Sequence, residues 1–206
     1  MIKGAIFDLD GTLIDSMSAW EGIGEAYLHS LGIEPRERLA DTLRTLTVEQ
    51  SAEYFRQSYG VELSVTEIVS GINTMLEDLY VRSVPLKRGV EGFLKRMRRD
   101  GVRMCVATVT DKRLAEAALA RLDVLDCFEA VVSTSEVGRD KTEPFVYRKA
   151  LSILGTEKSE TAVFEDSYHA LLTAKKDGFR TVAVYDPSEP RQAEMKALAD
   201  RYIVEF

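Results

Sequence analysis

The hydrophobic positions change their period along the chain, and the changes outline an architecture. Residues 2–7, Ile-Lys-Gly-Ala-Ile-Phe, read as a short buried strand that runs into the polar string Asp8-Leu-Asp-Gly-Thr. From Ser16 to about Val81 the pattern is helical. Trp20, Ile23, Tyr27 and Leu31 fall at helix spacing, with Gly32 as a stop. Trp20, Tyr27 and Leu31 are expected in the core of this block. Further helices are expected around 39–46, 48–59 and 65–80, and Ser64 and Glu67 stand at the spacing of a capping box before the last of them. Pro85 closes the helical block.

After Pro85 strand-like runs appear at 102–107, 130–133, 161–164 and 181–184, separated by helical stretches at 111–122, 143–154 and 167–177. Such alternation predicts parallel strands joined by crossover helices, a doubly wound, Rossmann-like α/β sheet. The first strand belongs with the later ones, so the helical block interrupts the sheet domain. The expected division is a core of residues 1–15 and 85–206, with residues 16–84 as the insert.

Composition narrows the reading. The 206 residues allow one sizeable domain or one domain carrying an insertion, and 45% hydrophobic with 30% charged residues suits a soluble globular protein. The longest apolar runs are strand-sized, far short of the roughly 20 residues that span a bilayer, so no membrane association is expected. Acid at Asp8 falls where a signal peptide needs an apolar stretch, and the expected location is the cytoplasm. Cys105 and Cys127 make no disulfide framework, and His29 and His169 are too far apart in sequence for a His-rich zinc site. A net charge of −7 argues against nucleic acid as a partner. One region runs against that charge: Lys87, Arg88, Lys95, Arg96, Arg98, Arg99 and Arg103, countered by Glu91 and Asp100. With no aromatic residues between the cations, it reads as a solvated helix face with Phe93, Leu94 and Met97 turned inward.

Ligands of open parallel sheets bind beyond the carboxyl ends of the strands. The first strand delivers Asp8 and Asp10 to that edge, and the second delivers Thr108 and Thr110. The third is followed by Asp140 and Lys141, and the fourth ends in Glu165 and Asp166. Asp8 and Asp10, two apart in extended chain, face one small volume, where two carboxylates repel unless a cation sits between them. Hard oxygen donors suit Mg²⁺, which completes its shell with water and substrate phosphate. Acids, a hydroxyl and a lysine at one edge describe a site for a divalent cation and a phosphate.

The string Asp8-Leu-Asp-Gly-Thr-Leu-Ile-Asp-Ser resembles the first motif of the haloacid dehalogenase superfamily of phosphohydrolases. Ala107-Thr-Val-Thr resembles the second motif, Lys141-Thr-Glu-Pro-Phe-Val-Tyr the third and Phe164-Glu-Asp-Ser the fourth, all in order. Thr142 and Phe145 depart from the usual proline and aspartate of the third motif, and Ala170 stands where many members have glycine.

The resemblance implies a phosphoric monoester hydrolase whose insert is a helical cap. In it Asp8 is the nucleophile and Asp10 the general acid and base. Thr108, the Val109 backbone N–H and Lys141 hold the phosphate. Mg²⁺ is held by Asp8, Asp10 (through its backbone carbonyl) and Asp166, with Glu165 close by. The substrate implied is a small phosphorylated metabolite. A phosphomutase of the β-phosphoglucomutase kind shares these motifs, and a noncatalytic phosphoacceptor or binding module is the more distant alternative. Ser16 and residues 83–86 are the two crossings between core and cap and are expected to act as hinges. Arg44 and Thr45, beside a break between helices, are expected to contribute to substrate choice.

Overall fold

A computed structural model describes residues 2–43, 46 and 48–206. The chain divides into two compact units, one of Met1–Asp15 with Val84–Phe206 and one of Ser16–Ser83.

The first unit is built on six strands: β1 (Gly4–Phe7), β2 (Arg103–Thr108), β3 (Ala130–Ser133), β4 (Thr161–Glu165), β5 (Arg180–Val184) and β6 (Arg201–Ile203). All pair in parallel, in the order β3-β2-β1-β4-β5-β6. Strand order therefore reverses beside β1, between its neighbours β2 and β4, which is where a doubly wound sheet opens a crevice. The helices of this unit are numbered below after those of the other, which precede them in the chain. They are α5 (Val90–Arg99), α6 (Lys112–Arg121), α7 (Thr134–Val137), α8 (Phe145–Leu154), α9 (Tyr168–Lys176) and α10 (Gln192–Leu198).

Burial on both faces explains why the strands read as apolar runs without alternation. Ile6, Cys105, Val132 and Val163 face a cluster completed by Val146, Tyr147, Ala150 and Leu154 of α8. One residue along β1 the side chain points the other way, and Phe7 stacks on Phe164 at 4.4 Å between ring centres with Phe93 of α5 edge-on at 6.3 Å.

The second unit holds α1 (Met17–Ser30), α2 (Leu39–Leu43), α3 (Val48–Tyr59) and α4 (Val65–Arg82). Ile68, Ile72, Leu76 and Tyr80 recur every fourth residue on the buried face of α4. Ile68, Ile72 and Leu76 pack with Tyr27, Leu28, Leu39 and Phe55. The capping box forms: Ser64 Oγ accepts the Glu67 N–H, while the Glu67 carboxylate accepts the Ser64 N–H at 2.8 Å.

Two of the three residues expected in this core are not in it. Trp20 and Leu31 are 36% and 38% exposed, and only Tyr27 is buried. Trp20 instead turns its edge to Tyr80, donating its Nε1–H to the phenol oxygen at 2.8 Å. Leu31 sits at the C-cap, where the chain has already left the helical path. Arg44 and Thr45 lie outside the described residues.

Candidate active site

Five segments converge at the carboxyl edge of the sheet. Beyond β1 the chain folds into a tight turn: the Leu13 and Ile14 N–H groups both donate to Leu9 O, at 2.8 and 3.0 Å, and Gly11 N–H donates to Ile14 O at 3.0 Å. Gly11 has φ 75°, open to glycine without strain. This turn sets Asp8, Asp10 and Thr12 around the strand end. Thr12, fully buried, donates its hydroxyl to Asp166 Oδ1 at 3.1 Å, tying the first motif to the end of β4 across the crevice.

Lys141 is the hub. Its ammonium contacts Asp8 Oδ1 and donates to Glu165 Oε1 at 2.7 Å. Glu165 also accepts the Tyr147 hydroxyl at 2.7 Å. Asp8, Glu165 and Asp166 are buried, with carboxylate oxygens within 4.8 Å of one another. Burial raises the Asp8 pKa well above the aspartate range. Lys141 pulls it down, and Glu165, Asp166 and Asp10 push it up again. Asp166 is pushed up to about 7, by burial first and the Glu165 charge next. Burial alone would lower the Lys141 pKa, but Asp8 and Glu165 outweigh it and hold the ammonium charged.

Three buried carboxyls facing one ammonium leave negative charge uncompensated when ionised, which proton uptake or a divalent cation can balance. The donors are all oxygen, the set that hard cations take.

The structure brings together Asp8, Lys141, Glu165 and Asp166, and brings Asp10 to the second motif rather than into the acidic cluster. Thr110 donates its hydroxyl to Asp10 Oδ2 at 2.6 Å, while its N–H donates to Thr108 Oγ1 at 3.0 Å. Thr108 is fully buried and Val109, next along, is 60% exposed. The departures in the third motif have a local account. Thr142 supplies an N–H, which proline lacks, and donates it to Asp140 Oδ1 at 2.7 Å, closing the turn that carries Lys141. Pro144 then caps α8, and Phe145 is exposed.

Three contributors went unassigned in the sequence. Tyr147 was readable only as the last residue of the third motif, and its bond to Glu165 depends on α8 packing over the sheet. Thr110 was placed at this edge without a role. Lys87 lies in the run that reads as solvated cations, yet its side chain is only 15% exposed and its ammonium donates to the first-motif turn.

A doubly wound parallel sheet with a lysine-bridged acidic cluster at its switch point is the frame of an α/β enzyme, its donors suited to a cation beside an anionic group. The sequence profile of the haloacid dehalogenase-like hydrolases matches residues 5–184, and the chain belongs to that family. It is 28% identical over 197 residues to hexitol phosphatase B of Escherichia coli, covering 92% of this chain and 88% of that one. It is 26% identical over 194 residues to a phosphorylated carbohydrates phosphatase of Thermotoga maritima, covering 88% and 84%. A crystal structure described as a putative beta-phosphoglucomutase from Thermotoga maritima superposes with a TM-score of 0.88 at 22% identity, covering 98% of this chain and 94% of that one, a likeness of fold. Among the described residues no helix is long and apolar enough to cross a membrane.

Proposed function

We propose that the protein is a Mg²⁺-dependent phosphatase of small phosphorylated metabolites, sugar phosphates foremost, acting through a phosphoaspartate on Asp8. The observation that carries this reading is the buried Asp8 carboxylate between Lys141 and the Glu165–Asp166 pair at the switch point. The names of the two curated relatives support the sugar class.

Asp8, Asp166 and the Asp10 backbone carbonyl would hold the cation, with Glu165 beside them. Bound there, it would neutralise the acidic cluster and draw charge from the phosphoryl oxygens. Asp8 attacks phosphorus through a carboxylate oxygen as the bond to the leaving oxygen breaks, and the Asp10 carboxyl gives that oxygen its proton. Asp10 then takes a proton from the water that attacks the phosphoaspartate, which frees inorganic phosphate and Asp8. The Thr110 hydroxyl, bonded to Asp10 Oδ2, would hold that carboxyl between the two proton transfers. Lys141, the Thr108 hydroxyl and the Val109 N–H stabilise the equatorial oxygens during both transfers.

The helical unit, as a cap, would exclude water and select the leaving group, with Arg44 and Thr45 contributing to selection. Arg44→Ala would then change KM and the ranking of substrates while sparing phosphoaspartate formation. Unchanged kinetics across substrates would remove Arg44 from that role.

The test is a phosphatase screen over phosphorylated metabolites with Mg²⁺ and with chelator. Phosphate release on sugar phosphates that chelator abolishes and Mg²⁺ restores is expected. No hydrolysis of any phosphoester with Mg²⁺ would refute the reading. Turnover that needs a trace of sugar bisphosphate and returns the phosphoryl group to sugar would replace hydrolysis by a mutase reaction.

A further inference from the structure

Lys87 leads away from the catalytic residues and explains how their turn is held. Its ammonium has three protons and three acceptors. It donates to Gly11 O at 2.6 Å, Tyr185 O at 2.7 Å and Asp186 Oδ2 at 2.8 Å. Asp186 is almost fully buried and is fixed in turn. Its Oδ1 accepts the Ser188 N–H at 3.0 Å and hydroxyl at 2.7 Å, and its carbonyl accepts Gln192 Nε2–H at 2.6 Å. The backbone of Lys87 grips the same turn, its N–H donating to Leu13 O at 2.9 Å. One residue thus fastens the first-motif turn at two points and ties it to the end of β5.

The peptide it fastens is the soft one. Glycine has the widest backbone freedom of any residue, and Gly11 joins two groups that must not move. On one side its N–H belongs to the peptide of the Asp10 carbonyl. On the other its carbonyl shares a peptide plane with Thr12, whose hydroxyl holds Asp166. The Asp10–Gly11 peptide is held by the Gly11 N–H bond to Ile14 O, and Lys87 holds the following peptide by its carbonyl, so the two bonds together leave Gly11 no free rotation between the Asp10 carbonyl and Thr12.

We propose that Lys87, charge-balanced by Asp186, is a positioning residue of the cation site, locking the Gly11 peptide and through it the Asp10 carbonyl and the Thr12–Asp166 contact. The inference rests on the cation ligands named under the proposed function.

Charge and position predict opposite outcomes, which makes the test sharp. Removing an ammonium near a cation site should by Coulomb's law tighten cation binding. Loss of positioning should weaken it. Mg²⁺ is titrated calorimetrically into chelator-treated full-length protein, so that the readout does not depend on turnover. Lys87→Met is expected to raise the Mg²⁺ Kd about tenfold, the low end of what losing an outer partner of a metal site costs. Because Lys87→Met leaves Asp186 buried and unpaired, a protein that fails to fold is foreseen. The double variant Lys87→Met/Asp186→Asn removes both charges of the pair and is compared with Asp186→Asn alone, because the Asp186 charge itself acts on Asp166; it is expected to bind Mg²⁺ more weakly than that single variant.

Lys158→Met is the structural control. It breaks an ion pair with Asp177, 3.0 Å long and outside the site, and should leave the Mg²⁺ Kd unchanged. Mg²⁺ binding in the double variant equal to or tighter than in Asp186→Asn, equal weakening in Lys158→Met, or no Mg²⁺ binding by the wild type would each overturn the proposal. Mg²⁺ binding that follows the expected order in a protein without phosphatase activity would refute the proposed reaction and leave Lys87 in its role.

Discussion

Asp166→Asn should stabilise the metal-free protein as pH rises, by an amount the site itself sets. Burial, and next the Glu165 charge, push the Asp166 carboxyl up to about 7 in the folded chain from 3.8 for a free side chain. A raised carboxyl pKa means that the folded state holds the proton more tightly. Its contribution is full below the unfolded value and is lost as pH rises through 7. Between pH 5 and pH 8 the wild type loses about two proton-units of this advantage, about 3 kcal/mol at 1.36 kcal/mol per unit. Asparagine has nothing to lose over that range. The cost of burying its amide is independent of pH and cancels in the comparison, and its Oδ1 can still accept the Thr12 hydroxyl. Relief of the repulsion on Asp8 acts in the same direction.

At about 2–4 °C per kcal/mol for a chain of this size, the Tm of the variant relative to wild type should rise by about 6–12 °C from pH 5 to pH 8. The assay is scanning calorimetry in chelator at the two pH values, repeated at pH 8 with Mg²⁺. There the wild type should gain stability and the variant much less. A gap that stays constant or narrows toward pH 8 would refute the account of uncompensated charge. Equal Mg²⁺ stabilisation of both proteins would remove Asp166 from the cation site.

Asp8→Asn should abolish turnover and the phosphoryl adduct, and Asp10→Asn should slow turnover by about 10²–10⁴-fold while still permitting slow labelling of Asp8. Both are read by phosphate release and intact-protein mass, and wild-type turnover in Asp8→Asn would end the mechanism. Tyr147→Phe removes a hydroxyl from the Glu165 carboxylate and should cost about 1.5–3 kcal/mol in urea unfolding; an unchanged midpoint would show that this bond adds nothing. Gly89→Ala should destabilise by more than about 1–2 kcal/mol in the same assay, because φ 84° disfavours any side chain and the new methyl would meet the Phe206 backbone carbonyl.

The parallel sheet was legible because strands buried on both faces read as apolar runs between amphipathic helices. β6 was not: Arg201–Ile203 is three residues at the sheet edge, half-buried and too short for a pattern. The first motif was legible because its chemistry is local, two carboxylates and a glycine within five residues. The partners that support it are not local. Thr12 meets Asp166, 154 residues on, and Lys87 meets Asp186, 99 residues on. A lysine in a run of cations gives no sign of the one ammonium that turns inward. Lys95, Arg96, Arg98 and Arg99 of the same run are exposed, as their helical spacing implied. Trp20 differs for a related reason, since helical spacing marks a face and not how deeply each residue on it is covered.

The chain leaves the sheet unit and returns to it side by side. Asp15 N–H donates to Pro85 O at 2.9 Å, Ile14 pairs with Leu86, and Lys87 N–H closes on Leu13 O. The two ends of residues 16–83 are therefore stapled whatever lies between them. Closing a longer or shorter segment over such a staple changes the entropy by only about 0.6 kcal/mol per doubling of length. To the sheet, the insert is a cassette. A segment of another length can be carried between the same two ends without redesigning a strand.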